Sequence, residues 1–495
     1  MAFTEPYTTR DGFGPMTKGM HSGLDPLLLD SNGQFAYGVN VTTRGGFAKT
    51  RPAFIDIGKV APSGFQGAGV FRLDESDHIV VVSGGTVYIR NGDTGAVTEI
   101  SGYLSAVATQ VYVTQVYRWI VVQDGESRPL VIGESGGVFS RMARDAVLEP
   151  ASAPPRICLV PGTLGVYAHG RYHYVPRIVP DALPALTLNE GLTEYTNPDL
   201  VPIPVFDTPA AEYPADKEPG KTCFVSSDIL DPLDPFRIFR MTEHRGLDEG
   251  GAYALPAELG FVHGMGAMRG AATGTGVGSL YVFGSRGVSA FEVSPPRSSQ
   301  NDQKGWKDIA FSQVAFYGAG TYSPFGIVNV NDDLWYVDAT KNLRSVSYDR
   351  SQLASDGYAA PAMFNTSRSF ECRRWTSLTP DSYRPHIYAA VADNRLHWLL
   401  CEGRAVASLD FAQTYTAAPS EIPMLHEGIW TGFDFKAVLS ANESLYAVVG
   451  ASDGLHLLMA SESAVLDPGS TPIGSFIVTK YYSGLYNETY HLAEL

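Results

Sequence analysis

At 495 residues, with 44 % hydrophobic and 18 % charged positions, the chain is too apolar to be disordered. It is long enough for two or three ordinary domains, or for one large all-β domain with an insertion. The formal net charge of −16, from 36 basic and 52 acidic residues, argues against wrapping or scanning nucleic acid, where affinity comes mainly from neutralising phosphates.

The 51 glycines and 32 prolines suit many short strands joined by turns better than they suit helices. Cys158, Cys223, Cys372 and Cys401 are scattered and contain no CxxC pair, so neither a zinc ribbon nor a disulfide-stapled module is indicated and a reducing compartment is expected. The first 20 residues lack an apolar signal core, and no run approaches about 18 apolar residues. Synthesis in a cytoplasm without membrane insertion is the expectation.

Residues 1 to about 30 carry turn formers without periodicity and read as an extended arm. From Gly33 to Phe54 the pattern predicts a strand, a turn and a return. Phe35, Tyr37, Val39 and Val41 alternate with small or polar residues, Gly45-Gly46 permits positive φ, and Pro52 is expected to end the element. Four strands follow over Ala68–Leu73, His78–Ser83, Thr86–Arg90 and Val97–Ile100, joined by Gly84-Gly85 and Asn91-Gly92, which are strong hairpin signals. A second unit spans Gln110–Met142, and a third begins at Ile157. Small meanders recurring every 40 to 50 residues are the pattern of β-propeller blades.

Eleven prolines between Pro176 and Pro235 interrupt this pattern and predict an insertion, because proline disfavours helix interiors and central strands alike. Strand periodicity resumes at Phe261. Hairpins are expected around Gly284–Gly287, Asn331–Asp333 and Ala392–Asn394, and a strand over Trp430–Val438 opens a unit that continues through Ser444 and Leu455. The expected fold is all-β, a propeller of about six to eight divergent four-stranded blades. Its parts are an arm with opening strands over 1–60, first blades over 61–175, a Pro-rich insertion or small subdomain over 176–260, remaining blades over 261–473, and a C-terminal closing or interface strand over 474–495.

Templates for chemistry fit poorly. Asp332-Asp333 lacks the spacing of a calcium loop and reads as a polar turn. His169 and His173 flank a Gly170 turn, so they sit on opposed strands rather than on one helix face. Gly274–Gly278 lacks the lysine of a phosphate loop. No catalytic, cofactor-binding or metal-binding residue is assigned, and the chain is read as a non-enzyme without a cofactor. Trp-Asp and kelch repeats are absent too, so the blades are of a divergent kind.

Asn40, followed by Arg44, Gly45, Arg51 and Pro52, resembles the N-terminal pattern N…R.G….RP of tail proteins of short-tailed bacteriophages, the nozzle and packaged-DNA stabilisation proteins. Ser279–Phe291, Gly318–Pro324 leading to Asp333–Val337, Leu343–Val346, Asp393–Trp398 and Thr479–Tyr482 are similar to later segments of that family, in the same order. The resemblance implies a virion structural protein: a propeller subunit of a homo-oligomeric, six-copy ring in the tail. That ring would lie beneath the portal and adaptor proteins and above tail fibres or the tail tip, and would help retain and then eject the genome. DNA would pass without sequence-specific binding, past acidic side chains lining the passage. On this reading Asn40, Arg44, Arg51 and Pro52 form an assembly interface. Two roles stay open for the arginines: charge-assisted bonds to a neighbouring subunit or the ring above, or pinning their own turn through backbone carbonyls. A carbohydrate-binding or carbohydrate-cleaving propeller used in host attachment is the alternative function.

Overall fold

In the computed structural model the described residues are 19–20, 29, 33–44, and, with short breaks, 47–141, 310–346, 379–410 and 425–478. Also described are 262–268, 279–292 and the short strands between 156 and 254 and between 482 and 494. The N-terminal arm expected over residues 1–30 lies almost wholly outside them, as do the Pro-dense stretch 176–221 and His173.

The described chain is all-β apart from short 3-10 turns. Five sheets reach the four strands of a complete blade. Blade 1 is the antiparallel meander Phe65–Leu73, Ser76–Ser83, Thr86–Arg90, Val97–Ile100. Its tightest turn pairs Ser83 with Thr86 across Gly84 and Gly85, at φ of 56° and 79°, the left-handed pair that a two-residue hairpin needs. Blade 2 runs Tyr112–Val116, Trp119–Gln123, Leu130–Ser135, Val138–Arg141, and blade 3 runs Val262–Met268, Ser279–Gly284, Gly287–Glu292, Ala310–Tyr317. Blade 4 contains Ala389–Ala392, Arg395–Leu400, Ala405–Asp410 and Leu425–Thr431. Blade 5 contains Asp434–Ala441, Ser444–Ala451 and Gly454–Ser461, and its fourth strand is Ala53–Ala61 from the other end of the chain.

Two shorter sheets stand between complete blades. Arg156–Val160 with Gly165–His169 separates blades 2 and 3; Ile327–Val330, Asp333–Val337 and Leu343–Ser345 separate blades 3 and 4. The first strand of every sheet in this series lies beside the first strand of the next, and the series returns from blade 5 to blade 1. That closed ring of meanders is a β-propeller. The expected six to eight four-stranded blades are corrected to five among the described residues, because the sheets beginning at Arg156 and Ile327 stop short of four strands.

Two further expectations change. The single strand Trp430–Val438 is two: Gly432, at φ 114°, breaks it, so that Trp430 completes blade 4 and Asp434 opens blade 5. Pro52, by contrast, ends the opening element as expected: the return strand Lys49–Thr50 stops before it, and Ala53–Ala61 after it belongs to the sheet of blade 5. The C-terminal strand Phe476–Val478 does not close the ring. It pairs with Tyr37–Val39 on the outer side of blade 4, with Ala493–Glu494 beyond it, giving that sheet seven strands. Within 176–260 the described strands Thr222–Ser226, Arg237–Thr242 and Gly251–Ala254 form their own three-stranded sheet.

Apolar faces of adjacent blades make the core. Val80, Val82, Val87 and Ile89 of blade 1 pack with Ile120, Val122, Leu130 and Ile132 of blade 2. The strand Phe65–Leu73 can approach blade 2 closely because Gly67 has no side chain: a Cβ there would sit 2.1 Å from the Val111 carbonyl oxygen. Blades 4, 5 and 1 share a second cluster around Trp430, Phe435, Val448 and Leu457.

Candidate functional site: a buried charged clamp

The opening strands cross the outside of blade 4 before reaching blade 5, and their polar residues decide how they are held. Tyr37–Val39 inserts beside Leu425–Thr431, and Val41–Thr42 turns back as Lys49–Thr50. Gly38 and Gly428 let the two backbones meet, since a Cβ on Gly428 would fall 2.4 Å from the Gly38 carbonyl oxygen. Asn40 then takes φ 54°, a left-handed conformation that asparagine tolerates better than most residues.

Its side chain is fully used. Oδ1 accepts from the Thr431 N–H at 2.7 Å and from Arg51 Nε at 3.0 Å, while Nδ2 donates to the Gly474 carbonyl at 2.8 Å and to Thr431 Oγ1 at 3.2 Å. Asn40 thereby joins the N-terminal strand, the end of blade 4 and the start of the C-terminal strand.

Arg51 is 2 % exposed. It forms a two-pronged pair with Asp467, Nη1 to Oδ1 at 3.1 Å and Nη2 to Oδ2 at 2.7 Å. Nη1 also donates to the Pro52 carbonyl at 2.8 Å and Nη2 to the Thr431 carbonyl at 3.2 Å. With Nε on Asn40, five donor positions find acceptors in the same chain. The guanidinium lies 5.0 Å from the centroid of the Phe54 ring and 5.9 Å from that of Phe433. Asp467 completes the latch by accepting the Phe54 N–H at 3.0 Å.

A second node surrounds Arg44. Nε and Nη2 donate to the two oxygens of Asp410 at 3.3 and 2.9 Å, Nη1 to Asp393 Oδ2 at 2.7 Å, and Nη2 to the Asp393 carbonyl at 2.6 Å. Arg395 shares Asp393 Oδ2 at 2.6 Å and donates through Nε to Glu427 Oε2 at 3.0 Å and through Nη2 to Thr42 Oγ1 at 3.1 Å. Glu427, fully buried, also accepts from the Thr42 hydroxyl, from the Thr43 N–H at 3.1 Å and from the Ser408 hydroxyl at 2.9 Å. Burial works against the charged form of Arg44, yet the bond to Asp410 and the charges of Asp410, Asp393 and Glu427 outweigh it and raise its pKa. Beside them, buried His397 packs against Trp430 with centroids 4.7 Å apart. Its pKa falls well below the usual imidazole value, first because of burial and then because of the Arg395 and Arg44 charges.

The four residues singled out in the sequence thus belong to two neighbouring nodes. Asn40, Arg51 and Pro52 share one, and Arg44 belongs to the other. Arg51 and Asn40 are buried, so the interface they form is with blades 4 and 5 of their own chain. The bonds of both arginines run within the chain, mostly to carboxylates beside blades 4 and 5 rather than to the carbonyls of their own turn. Sequence reading missed their acidic partners. Asp467, Asp410, Asp393 and Glu427 are scattered over 75 residues; the ladder pairing of Arg395 with Asp410 and the hairpin turn at Asp393 help assemble the Arg44 node, while Asp467 follows blade 5 and serves the Arg51 node. Chemically the arrangement is a clamp, with carboxylates taken up by guanidinium, hydroxyl and amide donors. Among the described residues no group of three or more His, Cys, Asp or Glu is placed to hold a metal. His169 ends the strand Gly165–His169, and Asp333 opens the strand Asp333–Val337.

No protein-family model matches the chain. No curated protein matches it either. Among solved structures, the chain is similar to the β-propeller domain of Cps50 (Swd1) from Myceliophteria thermophila, at 8 % identity over 82 % of this chain and 99 % of that one, with a TM-score of 0.38. It is also similar to BBS1N in a complex with ARL6DN, at 9 % identity over 84 % of this chain and 99 % of that one, with a TM-score of 0.37.

Proposed function

We infer that the chain is a structural propeller, a subunit of the ring through which a short-tailed phage retains and then releases its genome. The observation that carries this reading is the double anchoring of the chain's ends. The N-terminal strands are held between blade 4 and the C-terminal strand, and the Arg51–Asp467 latch and the Arg44–Arg395 cluster tie them to blades 4 and 5. A pull on the opening strands would be resisted by strand ladders and buried ion pairs together, which suits a part that holds against internal pressure. The net charge of −16 favours passage of DNA without sticking. The resemblance in the order of the motifs from Asn40 to Tyr482 is what suggests this family.

Electron microscopy of the purified protein, alone and mixed with portal and adaptor proteins, tests the reading. Rings of six copies, and antibody labelling on the tail axis of virions, are expected. A protein that stays monomeric in both preparations and labels away from the axis would sink it, and specific binding on a glycan array would favour host attachment instead.

A further inference from the structure

Two outer strands expose the same short pattern with opposite charge. On the opening hairpin, Ala48 packs against the core cluster of blade 4, which turns its neighbours Phe47 and Lys49 outward. Phe47 is 68 % exposed, and Lys49 is exposed beside it. On Val97–Ile100, the last strand of blade 1, Ile100 is buried in the cluster shared with blade 2, whereas Val97 and Glu99 are exposed. Each strand ends its sheet: Lys49–Thr50 pairs with Val41–Thr42, Val97–Ile100 pairs with Thr86–Arg90, and neither has a partner on its other side among the described residues. Neither Lys49 nor Glu99 forms an ion pair among the described residues. Charges on edge strands ordinarily keep copies of a protein apart. Two edges of opposite sign lose that protection against each other. Their placement matters as well. The hairpin lies outside blade 4, two places from blade 1 among the seven sheets of the ring, or about 100° around the propeller axis. Six copies joined head to tail in a closed ring about a parallel axis need about 120° between the two faces that each one presents.

We propose that a second copy of this chain docks between these edges, the opening hairpin of one copy lying along the outer strand of blade 1 of the next. Both strands carry the apolar residue two places before the charge, so a parallel alignment sets Phe47 against Val97 and Lys49 against Glu99. The Arg44 node already fixes the hairpin to Asp410 and Asp393, so little order remains to be lost on docking. The two faces differ, which makes the contact head-to-tail, the kind that closes into rings. This interface rests on the ring inferred above and names the faces that would build it.

Charge reversal in the full chain tests it, read by sedimentation and electron microscopy under the conditions in which the wild type forms rings. Lys49→Glu and Glu99→Lys each set like charges together at every contact, and each should weaken assembly about tenfold while keeping the melting curve of the wild type. Mixed in equal amounts the two variants should recover rings, because every contact joins opposite charges when they alternate. Native mass spectrometry of those rings should then find equal numbers of each. Should one variant not fold, the other decides by its own assembly. Where wild-type rings form, a folded variant that assembles as the wild type does, or a mixture of folded variants that fails to recover rings, overturns this interface and leaves the ring reading in place. A wild type that forms no rings, alone or with portal and adaptor proteins, overturns the ring reading and this interface with it.

Discussion

Arg51 shows how one side chain can fix the path of an entire chain end. A buried guanidinium is costly to desolvate, and here the cost is offset by the two-pronged Asp467 pair, two carbonyls, the Asn40 amide and the face of Phe54. Such a pair adds little beyond what apolar packing of the same volume would supply; breaking it is another matter. Arg51→Met leaves Asp467 buried and uncompensated, and should lower unfolding free energy by about 3–5 kcal/mol in urea titration. Restoring neutrality with Asp467→Asn in the same chain should recover part of that loss, because no buried charge then remains. If Arg51→Met costs under about 0.5 kcal/mol, as an ordinary surface substitution does, the latch is not what holds the opening strands. A double substitution of Arg44 and Arg51 therefore reports first on the stability of the monomer, and only through it on any assembly.

Between elements, the seam that closes the ring carries a titratable group. Ala53–Ala61 pairs with Gly454–Ser461; His456 faces Asp56 across that ladder through Nδ1 at 3.0 Å, and Asp453 in the turn before its own strand through Nε2 at 3.0 Å. Burial opposes its charge, but the bonds to both carboxylates and their charges outweigh burial and raise its pKa. A raised folded-state value means that the added stability is fully present below the unfolded value of about 6.5 and is lost as pH rises through the folded value. Wild type should therefore melt above His456→Gln at mildly acidic pH, with the gap closing at alkaline pH. A gap that is constant or widens with pH would show that the imidazolium does not bind the seam.

The same scale shows what could be read in advance. Blade 1 was legible nearly residue for residue, because Gly-Gly and Asn-Gly turns are local and force hairpins wherever alternating strands flank them. The split at Gly432 was hidden, since a glycine between apolar residues reads equally as a strand position. The clamp was half legible. Asn40, Arg44 and Arg51 stand out as a local pattern, whereas their carboxylates arrive from 349 to 416 residues away through sheet order alone. Ring closure by Ala53–Ala61 was hidden for the same reason, as pairing across such a span leaves no mark in either strand.

For the whole molecule, this closure makes Ala53–Ala61 a structural part of the last blade. Blade 5 without Ala53–Ala61 would have three strands. Gly454–Ser461 would lose its ladder partner, and Phe54, Val60 and Ala61 would leave the cluster shared by blades 4, 5 and 1. The same truncation removes Tyr37–Val39, the strand that joins Phe476–Val478 to blade 4. Two neighbouring blades are thus opened by one cut, and the loss should be cooperative rather than local. A chain beginning at residue 62 should unfold at lower urea with a shallower slope, and it should bind a dye for exposed apolar surface. A peptide spanning residues 33–61, added in trans, should restore the midpoint in a saturable manner, and the peptide carrying Arg51→Met should restore it only at higher concentration. If the truncated chain keeps the midpoint and slope of the full protein, the propeller is closed by something other than its N-terminal strands.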